Sequence, residues 1–479
     1  MNQVILQAFE WYLESDQNLW TTLTAQAQQL KVAGIDALWL PPAYKGSSGT
    51  SDTGYGVYDN YDLGEFDQKG TVRTKYGTKD EYLMLIQALH AEGILVYADV
   101  VLNHKMGADN TDTVMVFQVD DGDRMTLLTP DPFEIEAWTR FDFNGRQQTY
   151  SSFQWNKEHF TGTDYDNRTQ RKGIFLFEGK KWDGDVDREH VNYDYLMGAD
   201  IDYTHPQVLE ETLNWGRWYI TTTQVDGLRL DALKHIQFGF FKKWIAALRE
   251  QQNLFVVGEY WSDDLRALHN YLNEESYSMS LFDVPLHYNL YRASSSDGNF
   301  DLSSIFDGTL VLNNPDYAVT FVDNHDTQPS QSLQSWVEEW FKPAAYALIL
   351  LRHEGTPCIF YGDYYGIVHD QINPVRELDT LISIRKAKLF GQRYDYLDDP
   401  DLIGWTYTGD FEHPGSGFAV ILSDKKQGEK RMFVGSENAH SIYRDSMGNI
   451  NEPVLIDDDG IGIFKVLGGS LSVYEKTEN

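Results

Sequence analysis

Eight short apolar segments recur along this chain, each bounded by turn residues and separated from the next by a stretch with helical periodicity, and no other feature narrows the fold so far. They cover residues 4–9, 37–40, 94–101, 227–230, 254–257, 280–284, 318–322 and 357–361. Continuous apolar runs of this length are what parallel strands show when both faces of a sheet are covered. Between them, residues 80–90 place Leu83, Ile86 and Leu89 at helical spacing, and 208–219, 240–248 and 340–351 carry similar patterns. Strand and helix alternating with a repeat of eight predict an α/β fold, a closed (β/α)8 barrel rather than an open doubly wound sheet.

Two blocks break the alternation. Residues 104–205 hold no barrel-like repeat and are rich in Asp, Gly, Thr, Asn and aromatics such as Trp155, Trp182 and Tyr193. A stretch of that length is too long for a simple loop and predicts an inserted domain after the third strand. After a last helix ending near Phe390, segments 404–408, 417–422, 431–434 and 461–474 read as strands between Gly, Asp and Asn turns, a small antiparallel β-sandwich domain. The expected division is therefore 1–103 for the first part of the barrel, 104–205 for the insertion, 206–391 for the rest of the barrel and 392–479 for the C-terminal β domain.

The 479 residues carry a formal charge of -34. A polyanion repels phosphates and anionic lipid, so neither nucleic acid nor a membrane surface is an expected partner. The plain reading of such acidity is solubility. With 13 Trp, 29 Tyr and 25 Phe, most aromatics must serve the core, and a surplus suits a protein that stacks sugar rings. The single cysteine, Cys358, lies in an apolar run and reads as a buried thiol; no intrachain disulfide can form. The N-terminus lacks a charged region followed by a long apolar one, and no apolar stretch reaches membrane-spanning length. A soluble, cytoplasmic protein is expected, or a secreted one if a leader precedes it, and a monomer.

Four segments carry the chemistry: Asp99-Val-Val-Leu-Asn-His104, Gly227-Leu-Arg-Leu-Asp-Ala-Leu-Lys-His235, Val257-Gly-Glu-Tyr-Trp261 and Phe321-Val-Asp-Asn-His-Asp326. Each sets acids, histidines or an arginine at the C-terminal end of a predicted strand, where barrel enzymes place their sites. Arg229 and Asp231 are two apart, so in extended backbone they share one face, and the guanidinium favours the charged carboxylate of a nucleophile. Glu259 follows Val256-Val257-Gly258 and precedes Tyr260 and Trp261. Such partly apolar surroundings raise a carboxyl pKa and leave a proton to donate, as a general acid requires.

In this order the four segments resemble the signature segments of the glycoside hydrolase superfamily centred on α-amylase, and the likeness to bacterial liquefying-type α-amylases extends over essentially the whole chain from Gln7-Ala-Phe-Glu-Trp-Tyr12 onward. The resemblance implies endo-acting, retaining hydrolysis of α-1,4-glucosidic bonds in starch, glycogen and maltodextrins, with Asp231 as nucleophile, Glu259 as acid/base and Asp326 gripping the distorted sugar. It implies that His104 and His325 donate to that sugar, that Tyr55 in Gly54-Tyr-Gly-Val-Tyr-Asp59 makes a stacking floor beneath it, and that Lys234, His235, Tyr260 and Trp261 lie toward the leaving group. It also implies a calcium ion, Ca2+, held by Asn103, Asp194, Asp200 and the His235 carbonyl, which clamps insertion to barrel. Some relatives of this type carry an additional calcium and sodium cluster; Thr161 and Thr204 stand here where acids are expected, so that cluster is not. Rival readings are an enzyme forming one preferred maltooligosaccharide, a transglycosylase of the same superfamily, and a non-catalytic glucan-binding relative. The last should have lost one of the three carboxylates, and none is lost.

Overall fold

The computed structural model describes residues 2–477. Eight parallel strands close into a barrel: β1 (Ile5–Gln7), β2 (Ala37–Leu40), β3 (Leu95–Val100), β4 (Gly227–Leu230), β5 (Phe255–Gly258), β6 (Ser280–Phe282), β7 (Ala318–Phe321) and β8 (Thr356–Phe360). Each pairs with its neighbours in sequence, and β1 pairs with β8 to shut the ring. All eight predicted segments thus become strands. Apart from the outer end residues Leu95, Phe255, Ser280 and Thr356 their side chains are buried, because helices cover the outside and packed side chains fill the inside.

The connecting helices form where apolar residues recur at helical spacing. Lys79–Ala91 starts with a capping box in which Thr78 and Glu81 each accept the other's backbone N–H. Its buried stripe is Tyr82, Leu85, Ile86 and Leu89. Leu83, expected in the stripe, is only half-buried, since the helix presents its 82/85/86/89 face to the barrel. Pro206–Thr223, Phe240–Arg249 and Lys342–Leu350 take up the other expected helices.

Between β3 and β4 the chain leaves the barrel and builds a six-stranded sheet in the order His104–Lys105, Ala199–Ile201, Phe160–Asp166, Arg171–Phe177, Asn110–Val119 and Phe133–Arg140. The first two of these strands are antiparallel partners, Asp200 opposite His104. The path out of β3 and the path back toward β4 therefore run side by side over the barrel mouth. After helix Leu378–Lys388, a second six-stranded antiparallel sheet spans residues 393–476 and packs Ala419, Ile421, Tyr443 and Tyr474 against Met432, Phe464 and Val466 of the strand pair Gly428–Phe433 and Ile461–Val466. The segment expected as one strand over 461–474 is two, Ile461–Val466 and Ser470–Lys476, divided by a turn at 467–469 in which Gly469 has φ +61. This sheet is tied to the barrel by Trp405, fully buried, whose indole N–H donates to the Leu351 carbonyl at 2.8 Å.

Candidate active site

Strand register assembles the centre. On β4, Arg229 has Asp99 of β3 and Val257 of β5 as its lateral partners, and Leu230 pairs with Gly258. The next residues on β4 and β5, Asp231 and Glu259, therefore emerge next to each other at the barrel's C-terminal end. Their backbone N–H groups still reach the neighbouring strand, Asp231 to Val100 O at 3.0 Å and Glu259 to Leu230 O at 2.8 Å. Immediately after Asp231, Ala232 takes the left-handed conformation with φ 55, a costly geometry for a residue with a Cβ that turns the chain away from the mouth. Gly258 leaves room for this turn; a Cβ there would stand 2.3 Å from Leu233 Cδ1.

One buried guanidinium serves three carboxyls. Arg229 Nη1 donates to Asp99 Oδ1 at 2.8 Å and to Asp231 Oδ1 at 2.7 Å, while Nη2 donates to Glu259. Sequence reasoning gave Arg229 a single partner, Asp231; the register adds Asp99, and the neighbouring strand brings Glu259. Asp99 also accepts from Trp39 Nε1 at 3.0 Å and from the Tyr55 hydroxyl at 2.8 Å. With four carboxyls near one cation, burial decides the balance. Glu259 is held well above the usual range by burial, which Arg229 offsets only in part and which Asp326 and Asp231 reinforce. Burial likewise pushes Asp326 up to about 7 against the pull of Arg229, and Asp99 up to about 6.

His325 is buried and neutral, because burial and then Arg229 disfavour its cation. Gln7 Nε2 lies 3.0 Å from its Nδ1, so the amide donates there and the ring proton sits on Nε2. That nitrogen has no hydrogen-bond partner although it stands 3.3 Å from an Asp326 oxygen. It is a buried donor without an acceptor, set beside a carboxyl. Tyr55 stacks on the His325 ring at 5.0 Å and on Trp11 at 5.8 Å, making a layered aromatic wall. His104 is also buried, but its Nε2 bonds to the Tyr55 carbonyl at 2.9 Å; in this structure its proton steadies Tyr55 rather than facing open space.

On the other side of Glu259, Lys234 Nζ pairs with Glu189 and the Tyr260 hydroxyl donates to Asp187, both from the insertion. Trp261 Nε1 donates to the Tyr288 hydroxyl at 3.1 Å. His235 is buried, with burial lowering its pKa to about 3, and its Nδ1 donates to the Tyr193 carbonyl at 2.7 Å. The insertion thus leans on the turn that follows Asp231. Asp99, Trp39, Gln7, Trp11, Asp187 and Glu189 were not singled out from sequence. Gln7, a polar residue inside an apolar strand, Trp11, in the 7–12 segment where the likeness begins, and Asp99, which opens one of the four segments, were those with a visible signal.

The expected calcium ligands are all placed at the junction of insertion and barrel. Asn103 is 2% exposed and its Oδ1 has no hydrogen-bond partner. Asp194 and Asp200 are buried and shifted well upward by burial, then by mutual or neighbouring charge: Asp183 acts on Asp194, and Asp194 on Asp200. Each already has one partner, Asp194 the Asp183 N–H at 2.9 Å and Asp200 the Thr161 hydroxyl. Among the described residues no three His, Cys, Asp or Glu side chains converge tightly enough to hold a metal by themselves. The orphaned amide oxygen and the repelling buried carboxyls nevertheless fit a hard cation, which takes oxygen donors including carbonyls.

A closed parallel barrel with an arginine-centred carboxyl cluster at the C-terminal ends of its strands is a barrel enzyme's architecture, equipped for acid/base and nucleophilic work. The alpha amylase catalytic domain family matches residues 14–393, and the chain belongs to that family. It is 53% identical to an alpha-amylase of Geobacillus stearothermophilus, over 99% of this chain and 87% of that one. It is 41% identical to the cytoplasmic alpha-amylase of Escherichia coli K12, over 99% and 98%. A solved alpha-amylase from Anoxybacillus shares the fold at TM-score 0.65 and 17% identity, covering 100% of this chain and 98% of that one.

Proposed function

We propose that this chain is an endo-acting, retaining α-amylase that hydrolyses α-1,4-glucosidic bonds in starch, glycogen and maltodextrins. The observation that carries the proposal is the sharing of Arg229 by Asp231 and Glu259 at the ends of adjacent strands, with Asp326 close by. A retaining pair needs its carboxyls about 5 to 5.5 Å apart, and two carboxyls on one guanidinium are held at short range. Asp231 attacks the anomeric carbon while Glu259, whose burial keeps its proton, protonates the departing glycosidic oxygen. Glu259, now a carboxylate, takes a proton from water, and that water breaks the glycosyl–Asp231 ester with a second inversion. Asp326 and the free Nε2–H of His325 grip hydroxyls of the sugar being distorted, with Tyr55 beneath it. Lys234, Tyr260 and Trp261 receive the leaving-group side. Release of reducing ends from soluble starch, abolished in Asp231→Asn, tests the reading.

Calcium belongs to the same proposal. Asn103 Oδ1, Asp194, Asp200 and the His235 carbonyl would hold it, and it would supply a fixed charge that relieves the repulsion of the two buried carboxyls and locks insertion to barrel. Residues 1–103 and 206–391 serve as the catalytic barrel, 104–205 as the wall of the cleft and 392–479 as the β domain, a division that follows the sheets. A cytoplasmic site of action has the Escherichia coli relative as its support. No helix of the described residues is long and apolar enough to cross a membrane. In this reading the partners are α-glucans and maltooligosaccharides, and the protein acts as a monomer.

A further inference from the structure

The turn that follows β7 is built from its own side chains. Asn324 Oδ1 accepts from the backbone N–H groups of Asp326 at 2.8 Å and Thr327 at 2.9 Å. The Thr327 hydroxyl accepts from Asn324 N at 2.9 Å and donates to Asp323 Oδ1 at 2.7 Å. Three of these four bonds hold backbone N–H groups, those of Asn324, Asp326 and Thr327, and the fourth ties the Thr327 side chain to Asp323. The knot is tied in turn through Asp323 Oδ2, which accepts from Lys342 Nζ at 2.8 Å and from the Val337 N–H at 3.2 Å; the same ammonium bonds Asp363 beyond β8, and Asp363 accepts from the Tyr346 hydroxyl at 2.6 Å. Lys342 is 1% exposed and its ammonium lies over the Trp336 ring, 3.1 Å from the centroid.

An ammonium held by two carboxyls and a ring face has no rotational freedom left. Buried ion pairs of this kind return little net stability, because desolvation offsets the Coulomb gain. What the arrangement supplies is direction: the position of Asp323, and through Thr327 and Asn324 the position of Asp326, is referred to the start of the helix Lys342–Leu350 that leads into β8. A carboxyl that must meet sugar hydroxyls at the transition state loses catalysis steeply when displaced by an ångström.

We propose that Lys342 is a positioning residue for the reaction, holding Asp326 in the geometry that grips the distorted sugar through the chain Lys342–Asp323–Thr327–Asn324. The inference rests on the role given to Asp326 above.

The test is a double-mutant cycle in the full chain, with kcat and KM followed on a maltooligosaccharide bearing a chromogenic leaving group, so that weak variants remain measurable. Lys342→Met should lower kcat about tenfold to a hundredfold while KM changes far less. Acarbose, whose flattened ring resembles the transition state, should bind the variant more weakly by a similar factor. Lys342→Arg, which keeps the charge, should recover part of the loss. In an Asp326→Ala background Lys342→Met should cost almost nothing more, because the group it positions is gone. Equal losses with and without Asp326 mean that Lys342 acts only on the fold, and overturn the proposal, as does a normal kcat in Lys342→Met. If Lys342→Met fails to fold, Asp363→Asn, which removes one anchor of the ammonium, takes its place in the cycle: a loss confined to the background that keeps Asp326 supports the proposal, and equal losses in both overturn it. An active Asp326→Ala enzyme would instead refute the role of Asp326 itself, a result read before Lys342 is altered.

Discussion

Asp231 and Glu259 share one guanidinium and yet are asked for opposite protonation states, so single substitutions should separate them. Asp231→Asn should abolish turnover on every substrate. Glu259→Gln should lose about 10² to 10⁴-fold on starch but keep the glycosylation step with a glycosyl fluoride, whose leaving group needs no proton; an equal loss on both refutes the acid assignment. Arg229 reaches Asp99, Asp231 and Glu259 through two nitrogens of a planar fork, a geometry lysine cannot copy. Arg229→Lys should therefore drop activity by two or more orders of magnitude, on the scale of about 10²-fold for a displaced catalytic group, and a near-normal rate would remove the proposed role. The pH profile offers a third test. Asp326 is among the charges that raise Glu259. Removing that charge lets Glu259 lose its proton more easily, so the alkaline limb of kcat/KM, measured on the residual activity of Asp326→Asn, should move to lower pH. A limb that stays put means another group sets it.

At the scale of elements, the insertion is the part whose attachment is most exposed to solution conditions. Its strand pair 104–105 and 199–201 lies where the chain leaves and re-enters the barrel, and it meets the barrel through His235 on Tyr193 and at a junction where Asn103 Oδ1 lacks a partner. A cation bound there stabilises the folded state by mass action. Chelation should lower the melting temperature and the activity together, and added calcium should restore both. Thr204 and Lys180 already satisfy Asp202, by hydrogen bonds to its two carboxylate oxygens, and Thr161 donates to Asp200. One tightly held calcium per chain is thus the expected result of elemental analysis after exhaustive dialysis. No calcium with undiminished stability in chelator would refute the clamp, and several metals would refute the argument from the two threonines.

For the whole molecule, the proposed reading has the insertion that rises from β3 wall a cleft over the barrel mouth, and an open cleft would accept the interior of a long chain. Iodine staining of amylose should collapse while few reducing ends have formed. The first product should be the α-anomer by NMR before mutarotation, since two inversions at one carbon retain configuration. β-Anomers, or loss of stain strictly proportional to new ends, would contradict the endo-acting retaining reading.

Much of this molecule is local in origin and was legible without coordinates. Each of the eight strands is an apolar run whose burial on both faces leaves a continuous signature, so their number and order, and with them the barrel, could be read directly. The strand-end positions of Asp231 and Glu259, in short segments that mark themselves, were legible in the same way. The small β domain was read less well, because its strands alternate and are broken by turns that blur where one ends, as at 467–469. What only the tertiary structure decided is lateral. Which side chain faces which across neighbouring strands depends on register, and a register between β3 and β4, separated by the whole insertion, leaves no trace in either strand alone. Hence Asp99 as the third partner of Arg229, Gln7 setting the His325 tautomer, and Glu189 and Asp187 reaching Lys234 and Tyr260 came from the packed barrel. The protonation states follow the same rule, since the upward shifts of Glu259 and Asp326 begin with burial, a property of the closed fold and of no segment by itself.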